Sequence, residues 1–388
     1  FTGRISSERN DIRDALKDIK NDQMHDLLYL AKILIEKYGY SINHEKWYDS
    51  GHSTTYFETK ITSFSSRFFN DIKYNHKRNS IIKISQDSIK LKKEINFYKN
   101  IPSELRVFFP ILLNKDQEEN VFLELEYLPF PNLAEIFLFR KITANRWESI
   151  VKSLFNIYSQ FYLKNKSKKF LYDSSHLYSE KLNQRIKTLK ELVESIDNNL
   201  LKEILNNGIK VNNNILPSLN ITNNKLQKEL KKIEKQRPLT FGHGDLCFNN
   251  ILIEPISGSI KLIDPKADSI GDNKIGYIDP FYDLAKLNHS FRCFYDSIVN
   301  NMFSISYKKD QYVLKIYKPF NYDVANFYFQ KIFLRNLIDK EILRKLTSNL
   351  FLSMIPLHKD DEQRMCVLLI IGISLFYDID MKNFSLEV

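Results

Sequence analysis

The 388-residue chain holds only three cysteines, Cys247, Cys293 and Cys366, and no two of them are paired or clustered. That scarcity excludes a disulfide framework and a cysteine-built zinc site, and it points to a reducing compartment, the cytoplasm. Long apolar runs are lacking too. The longest, around Met365 to Tyr377, is interrupted by Gly372 and Ser374, is too short to span a bilayer and reads as a buried helix, so no membrane association is expected. No signal peptide opens the sequence. The first residue is Phe1 rather than Met, which leaves room for an upstream segment, for example a fused enzyme of the same pathway. Internal repeats are absent. Lysine and arginine outnumber acids 57 to 47, a formal charge of +10, yet no single basic patch emerges. The short runs at 164–169 and 225–235 read as solvated helix faces, so a nucleic-acid partner is not expected, and a nucleoside triphosphate is the simpler anionic partner.

What is present is apolar content enough, at 43%, for one large core or two lobes. Between Asn10 and Lys37, apolar residues at helical spacing predict one or two amphipathic helices, stopped by Gly39. From Trp47 to Ser85 the pattern changes to short stretches rich in Tyr, Thr, Phe and Ile. These are broken at 49–53 and 70–79, which predicts an antiparallel sheet with turns at the breaks. A helix over Lys90–Asn100 and a strand over 120–128 follow, and Pro129 and Pro131 then interrupt regular structure. Helices are expected over 132–164, 178–206 and 224–236, with an Asn-rich break at 206–214. Short strands return between Arg237 and Leu287, and helices continue to the end. The expected organisation is an N-terminal helical extension over 1–45, a small β-rich lobe over 46–129 and a larger helical lobe over 130–388, an α+β fold.

Chemistry concentrates in the segment Arg237 to Glu254, RPLTFGHGDLCFNNILIE. An apolar strand feeds a loop holding Asp245, Asn250 follows five residues later, and a second strand starts at Ile251. A short rigid loop of this kind can fix a carboxylate that accepts a hydroxyl proton beside an amide oxygen that holds magnesium. The strand Ile260–Ile263 then ends in Asp264, a second carboxylate placed to bind a metal that bridges phosphates. The competing explanations are ordinary: a β-turn stabilised by Asp and Asn for the loop, and buried packing roles for Cys247 and Trp147.

The loop His243-Gly244-Asp245, with Asn250 and then Asp264, resembles the H-G-D-x-x-x-x-N pattern of the aminoglycoside phosphotransferase and choline kinase family, whose fold is protein-kinase-like and bilobal. Tyr282-Asp283-Leu284-Ala285-Lys286-Leu287 is similar to the helix start that follows these sites in the family. The resemblance implies an ATP- and Mg2+-dependent kinase that phosphorylates a hydroxyl of a small molecule. In it, Asp245 is the catalytic base, Asn250 and Asp264 are metal ligands, His243 supports the loop, and Asp283 braces it. It also implies that Lys83, the single charge of the strand Ser80–Ser85, pairs with the α- and β-phosphates with Glu94 as its counter-ion. Glu126 and Leu128 fall in the hinge whose backbone would meet adenine. Gly51 and Ser53 fall in the phosphate-covering loop, which carries one glycine flanked by hydroxyls instead of a glycine-rich consensus. Pro265 and Lys266 stand where many relatives have an aromatic, and no Ala-Pro-Glu segment follows, so a protein substrate is not expected. The acceptor expected is a sugar, aminosugar or amino alcohol. Asp173, Asp279, Asp360 and Asp361 are the acids available for a cationic one. The alternative is a nucleotide-binding pseudoenzyme with a regulatory role.

Overall fold

A computed structural model of the chain describes residues 9–19, 27–40, 70–85, 87–116, 121–164, 171–266, 275–335 and 339–386. Two compact units result, Phe1–Phe64 and Ser65–Val388. In the first, helices α1 (Arg9–Lys17) and α2 (Leu27–Tyr38) bury Ala15, Leu30 and Leu34. Gly39 ends α2 as expected: at φ +69° it takes the left-handed conformation, and the amides of Gly39 and Tyr40 return to the carbonyls of Ile35 and Leu34. Gly51 and Ser53, and Trp47 with them, lie outside the described residues.

The second unit begins with a four-stranded antiparallel sheet in the order β1-β2-β4-β3, formed by β1 (Asn70–Asn75), β2 (Ser80–Ser85), β3 (Leu112–Asp116) and β4 (Phe122–Glu126). Segment 70–79, expected as a break, is half strand. Asn70–Asn75 pairs residue by residue with β2, and only 76–79 turns, with Asn79 at φ +48°. Its Ile72 and Tyr74 alternate with polar residues, a period-two pattern that the many polar residues obscure. Helix α3 (Ser88–Asn100) packs on this sheet. It starts where the Asp87 carboxylate accepts the Lys90 amide, and it buries Leu91, Glu94, Ile95, Phe97 and Tyr98.

Helices dominate beyond the sheet: α4 (Leu133–Phe139), α5 (Ala144–Lys164), α6 (Ser179–Glu194), α7 (Asn199–Asn206), α8 (Leu219–Ile233), α9 (Pro280–Arg292), α10 (Tyr295–Val299), α11 (Tyr322–Phe329), α12 (Lys340–Met354) and α13 (Glu362–Phe376). The apolar run read from the sequence is α13, buried from Met365 to Leu375. None of the described helices is long and apolar enough to cross a membrane. Trp147 is fully buried, its indole N–H donating to Asn321 at 3.0 Å. A sheet-bearing part followed by a mainly helical part is the α+β class the sequence predicts.

The helical part is not uniformly helical. The short strands are β5 (Leu171–Tyr172), β6 (Ile209–Val211), β7 (Asn214–Leu216), β8 (Arg237–Pro238), β9 (Thr240–Phe241), β10 (Ile251–Ile253), β11 (Ile260–Leu262), β12 (Tyr277–Ile278), β13 (Phe303–Lys308), β14 (Gln311–Tyr317) and β15 (Ser385–Leu386). Two hairpins replace expected loop and helix. The Asn-rich break contains the hairpin β6–β7, with Asn212 and Asn213 at φ +45° and +66°, and β13–β14 turns at Lys309 and Asp310, both also at positive φ. Paired positive-φ residues between strands are the turn geometry that matches strand twist, and asparagine and aspartate tolerate it best.

Candidate active site

The strand β9 pairs antiparallel with β12 and delivers the chain into the loop 242–250. Gly242 is required there: a Cβ would lie 2.6 Å from the Ile278 side chain and 2.9 Å from the Asp283 carboxylate. Gly244 sits at φ +77°, with the Lys266 carbonyl 2.8 Å from where a Cβ would stand. Leu246 and Phe248 are the loop's anchors. Phe248 is fully buried, its ring 5.2 Å from Phe137 and 4.6 Å from Phe291. With both neighbours of Asp245 fixed in this way, its carboxylate is held at the surface of a rigid turn, about a quarter of the side chain exposed.

His243 joins the two acid-bearing loops. Its Nδ1 accepts the Asp245 amide at 3.2 Å, so Nε2 carries the hydrogen and donates to the Ile263 carbonyl at 2.9 Å. Burial lowers its pKa, which keeps the ring neutral in this linking role. The Lys266 amide donates to the His243 carbonyl at 2.8 Å, and the Ile263 amide to the Asn250 carbonyl at 3.0 Å, so the segments carrying Asp245 and Asp264 are stitched together. From below, Asp283 on α9 accepts the His243 amide at 2.8 Å.

Asn250 is buried, and its Nδ2 donates to the Asp245 carbonyl at 2.9 Å, leaving Oδ1 as an acceptor. Asp264 follows β11 at φ +53°, and its carboxylate meets Lys83 Nζ at 2.7 Å. Lys83 Nζ also lies 2.7 Å from Glu94, which is 6% exposed on α3. Burial alone would lower the Lys83 pKa, but the two carboxylates overcome it and hold it above its ordinary value. Burial raises Glu94, against Lys83. It would raise Asp264 as well, where Lys83 wins and the pKa falls. One amine therefore ties the sheet and its helix to the loop at the end of β11.

The second amine of the site was missed by sequence reasoning. Lys286 lies 2.9 Å from Asp245, and although burial opposes ionisation, that contact holds the carboxyl well below its usual range. A signal was present: Lys286 stands in the YDLAKL segment, one helical turn after Tyr282. Glu126 ends β4, where its backbone amide donates to Ile111 and the next amide, of Tyr127, to Asn79. Leu128 lies two residues beyond it, past the strand end. Cys247 is buried, and burial raises its thiol.

No protein-family model matches the chain, and no curated protein sequence does. Solved structures similar to it include the GDP complex of wild-type aminoglycoside 2'-phosphotransferase-IIIa, 12% identical over 93% of this chain and 100% of that one, with a TM-score of 0.48. A Plasmodium vivax ethanolamine kinase is 14% identical over 97% and 95%, with a TM-score of 0.38. A glucosamine kinase is 9% identical over 81% and 79%, with a TM-score of 0.41.

Proposed function

We propose that the chain is an ATP- and Mg2+-dependent kinase acting on a hydroxyl of a small metabolite. The observation that carries the proposal is the meeting of Lys83 with Glu94 and Asp264, both at 2.7 Å, on a frame that also fixes Asp245 and Asn250. Lys83 would bind the α- and β-phosphates, exchanging its bond to Asp264 for phosphate oxygens while Glu94 keeps it oriented. Asn250 Oδ1 and the Asp264 carboxylate are hard oxygen donors of the kind magnesium takes, and Asp264 is more than half exposed. Among the described residues no cluster of three or more His, Cys, Asp or Glu side chains could hold a metal alone, so the pair would share the ion with the nucleotide. When bound, the ion neutralises charge on the phosphates.

In the step itself, the acceptor oxygen forms a bond to the γ-phosphorus as the bond to the ADP oxygen breaks, and the hydroxyl proton passes to an Asp245 oxygen. Positioning and charge neutralisation do most of the work. Asp245→Asn keeps the shape of the loop and removes the proton acceptor. It should lower kcat by about a thousandfold while Mg-ATP still raises the thermal midpoint. Turnover equal to wild type in that variant would sink the assignment.

A further inference from the structure

Helix α9 grips the loop 242–250 at two points one turn apart. Its Asp283 accepts the His243 amide at 2.8 Å, and three residues on, the Lys286 amine lies 2.9 Å from Oδ1 of Asp245. The first contact fixes backbone, whereas the second falls on the carboxylate of the proposed base itself. Oδ1 is closed to solvent, yet the Asp245 side chain keeps 27% of its surface exposed. Among the described residues Oδ2 is neither shut in nor hydrogen-bonded, so it is the oxygen left open to an incoming hydroxyl. The two oxygens of this carboxylate are unequal because one amine occupies one of them.

The Lys286 side chain is itself only 15% exposed. Burial works against its charge, and Asp245, foremost among its neighbours, overcomes burial and holds the amine above its ordinary pKa. A buried ion pair is a weak stabiliser, since apolar side chains of similar volume often serve a core as well or better. Stability alone therefore gives no reason for a lysine here. Direction does. The last torsion of an aspartate is broad and roughly two-fold, so a free carboxylate turns about Cβ–Cγ, and an amine held on Oδ1 stops that rotation.

Resting on the kinase reading above, we propose that Lys286 is a positioning residue for phosphoryl transfer: it holds Oδ1 of Asp245 so that Oδ2 meets the acceptor hydroxyl. The hydroxyl proton passes to Oδ2 as the acceptor oxygen bonds to the γ-phosphorus and the bond to the ADP oxygen breaks, and Lys286 keeps its own protons throughout. The test measures ADP release by the full chain with Mg-ATP. The acceptor probe is whichever of glucosamine, ethanolamine, glycerol and gluconate gives the highest wild-type kcat, or water if none exceeds it. Lys286→Met fills the same space without the charge and should lower kcat by about a hundredfold, with KM for Mg-ATP within about twofold of wild type. Lys286→Arg keeps a charged donor for Oδ1 and should recover about a tenth or more of wild-type kcat. In the Asp245→Asn background, Lys286→Met should change kcat by less than about twofold, because a residue that acts through the carboxylate has nothing left to position. Thermal unfolding shows whether each variant is folded, and Lys286→Gln replaces Lys286→Met if the latter is not. Wild-type kcat in the folded Lys286 variant, a loss carried by KM for Mg-ATP, or losses that multiply in the double variant overturns the inference and leaves the kinase reading standing. No ADP release by the wild-type chain with any probe, water included, overturns both.

Discussion

Asp283 is buried and yet takes a backbone amide at 2.8 Å, a bond that favours the ionised form. Burial dominates: it raises the carboxyl to about 7, against the amides of His243 and Gly244. The folded state therefore keeps a proton that the unfolded chain, at an ordinary 3.8, has given up. Its contribution to stability falls as pH rises from about 4 to about 7, and the loss is complete above that window. Asp283→Asn retains a carbonyl oxygen for the His243 amide and removes the titration. The thermal midpoint of the variant, relative to wild type, should climb steadily from pH 4 to pH 7 and then level. A difference that stays flat across that range would show that Asp283 is ionised throughout.

At the scale of elements, the Asn212 side chain fastens the hairpin β6–β7 to β14, beside the bond from its own amide to the Tyr312 carbonyl and the two bonds between Asn213 and Gln311. Asn212 Nδ2 donates to the carbonyls of Leu314 and Asn383, both at 2.7 Å, and its Oδ1 accepts the Leu314 amide at 3.0 Å. Asn212→Ala removes these bonds and leaves alanine at φ +45°, so the unfolding free energy should fall by about 2 kcal/mol, read from the denaturant midpoint. A midpoint matching wild type would mean that water replaces the side chain at no cost. This hairpin was illegible in the sequence for a physical reason: β6 pairs in parallel with β14, Val211 beside Tyr312, and nothing local to an Asn-rich stretch announces a partner so distant. The hairpin β13–β14 was legible and overlooked, because Phe303, Ile305 and Tyr307 alternate up to the Lys309-Asp310 turn and Tyr312, Leu314 and Ile316 alternate after it. The segment from His243 to Asp264 could be read directly because its bonds close within about twenty residues. The Lys286 contact with Asp245 could not, since it depends on how α9 lies beneath the loop.

For the whole of the unit Ser65–Val388, Phe97 joins the sheet and its helix to the loop 242–250. It is fully buried on α3, one turn after Glu94, with its ring 5.6 Å from Phe109 and 5.1 Å from Phe241 at the root of the loop that holds Asp245. A Cβ on Gly276, beside β12, would stand 3.0 Å from the same ring, so the chain leaves glycine there to admit it. Phe109 continues the contact, its ring nearly parallel to that of His243 at 6.3 Å. The position of Glu94, and through it of Lys83, is thereby set by packing against the loop that holds Asp245. Phe97→Ala should cost about 4 kcal/mol in global stability, the usual penalty for an emptied aromatic site. On the kinase function proposed above, it should also weaken Mg-ATP binding by about tenfold, because α3 can then shift and let Glu94 leave Lys83. Phe97→Leu refills most of the volume and should recover most of both losses. Equilibrium denaturation and nucleotide titration on the two variants decide the matter. If stability falls while nucleotide affinity stays at the wild-type value, the Lys83–Glu94 pair is positioned by the sheet alone and the aromatic bridge is only ballast.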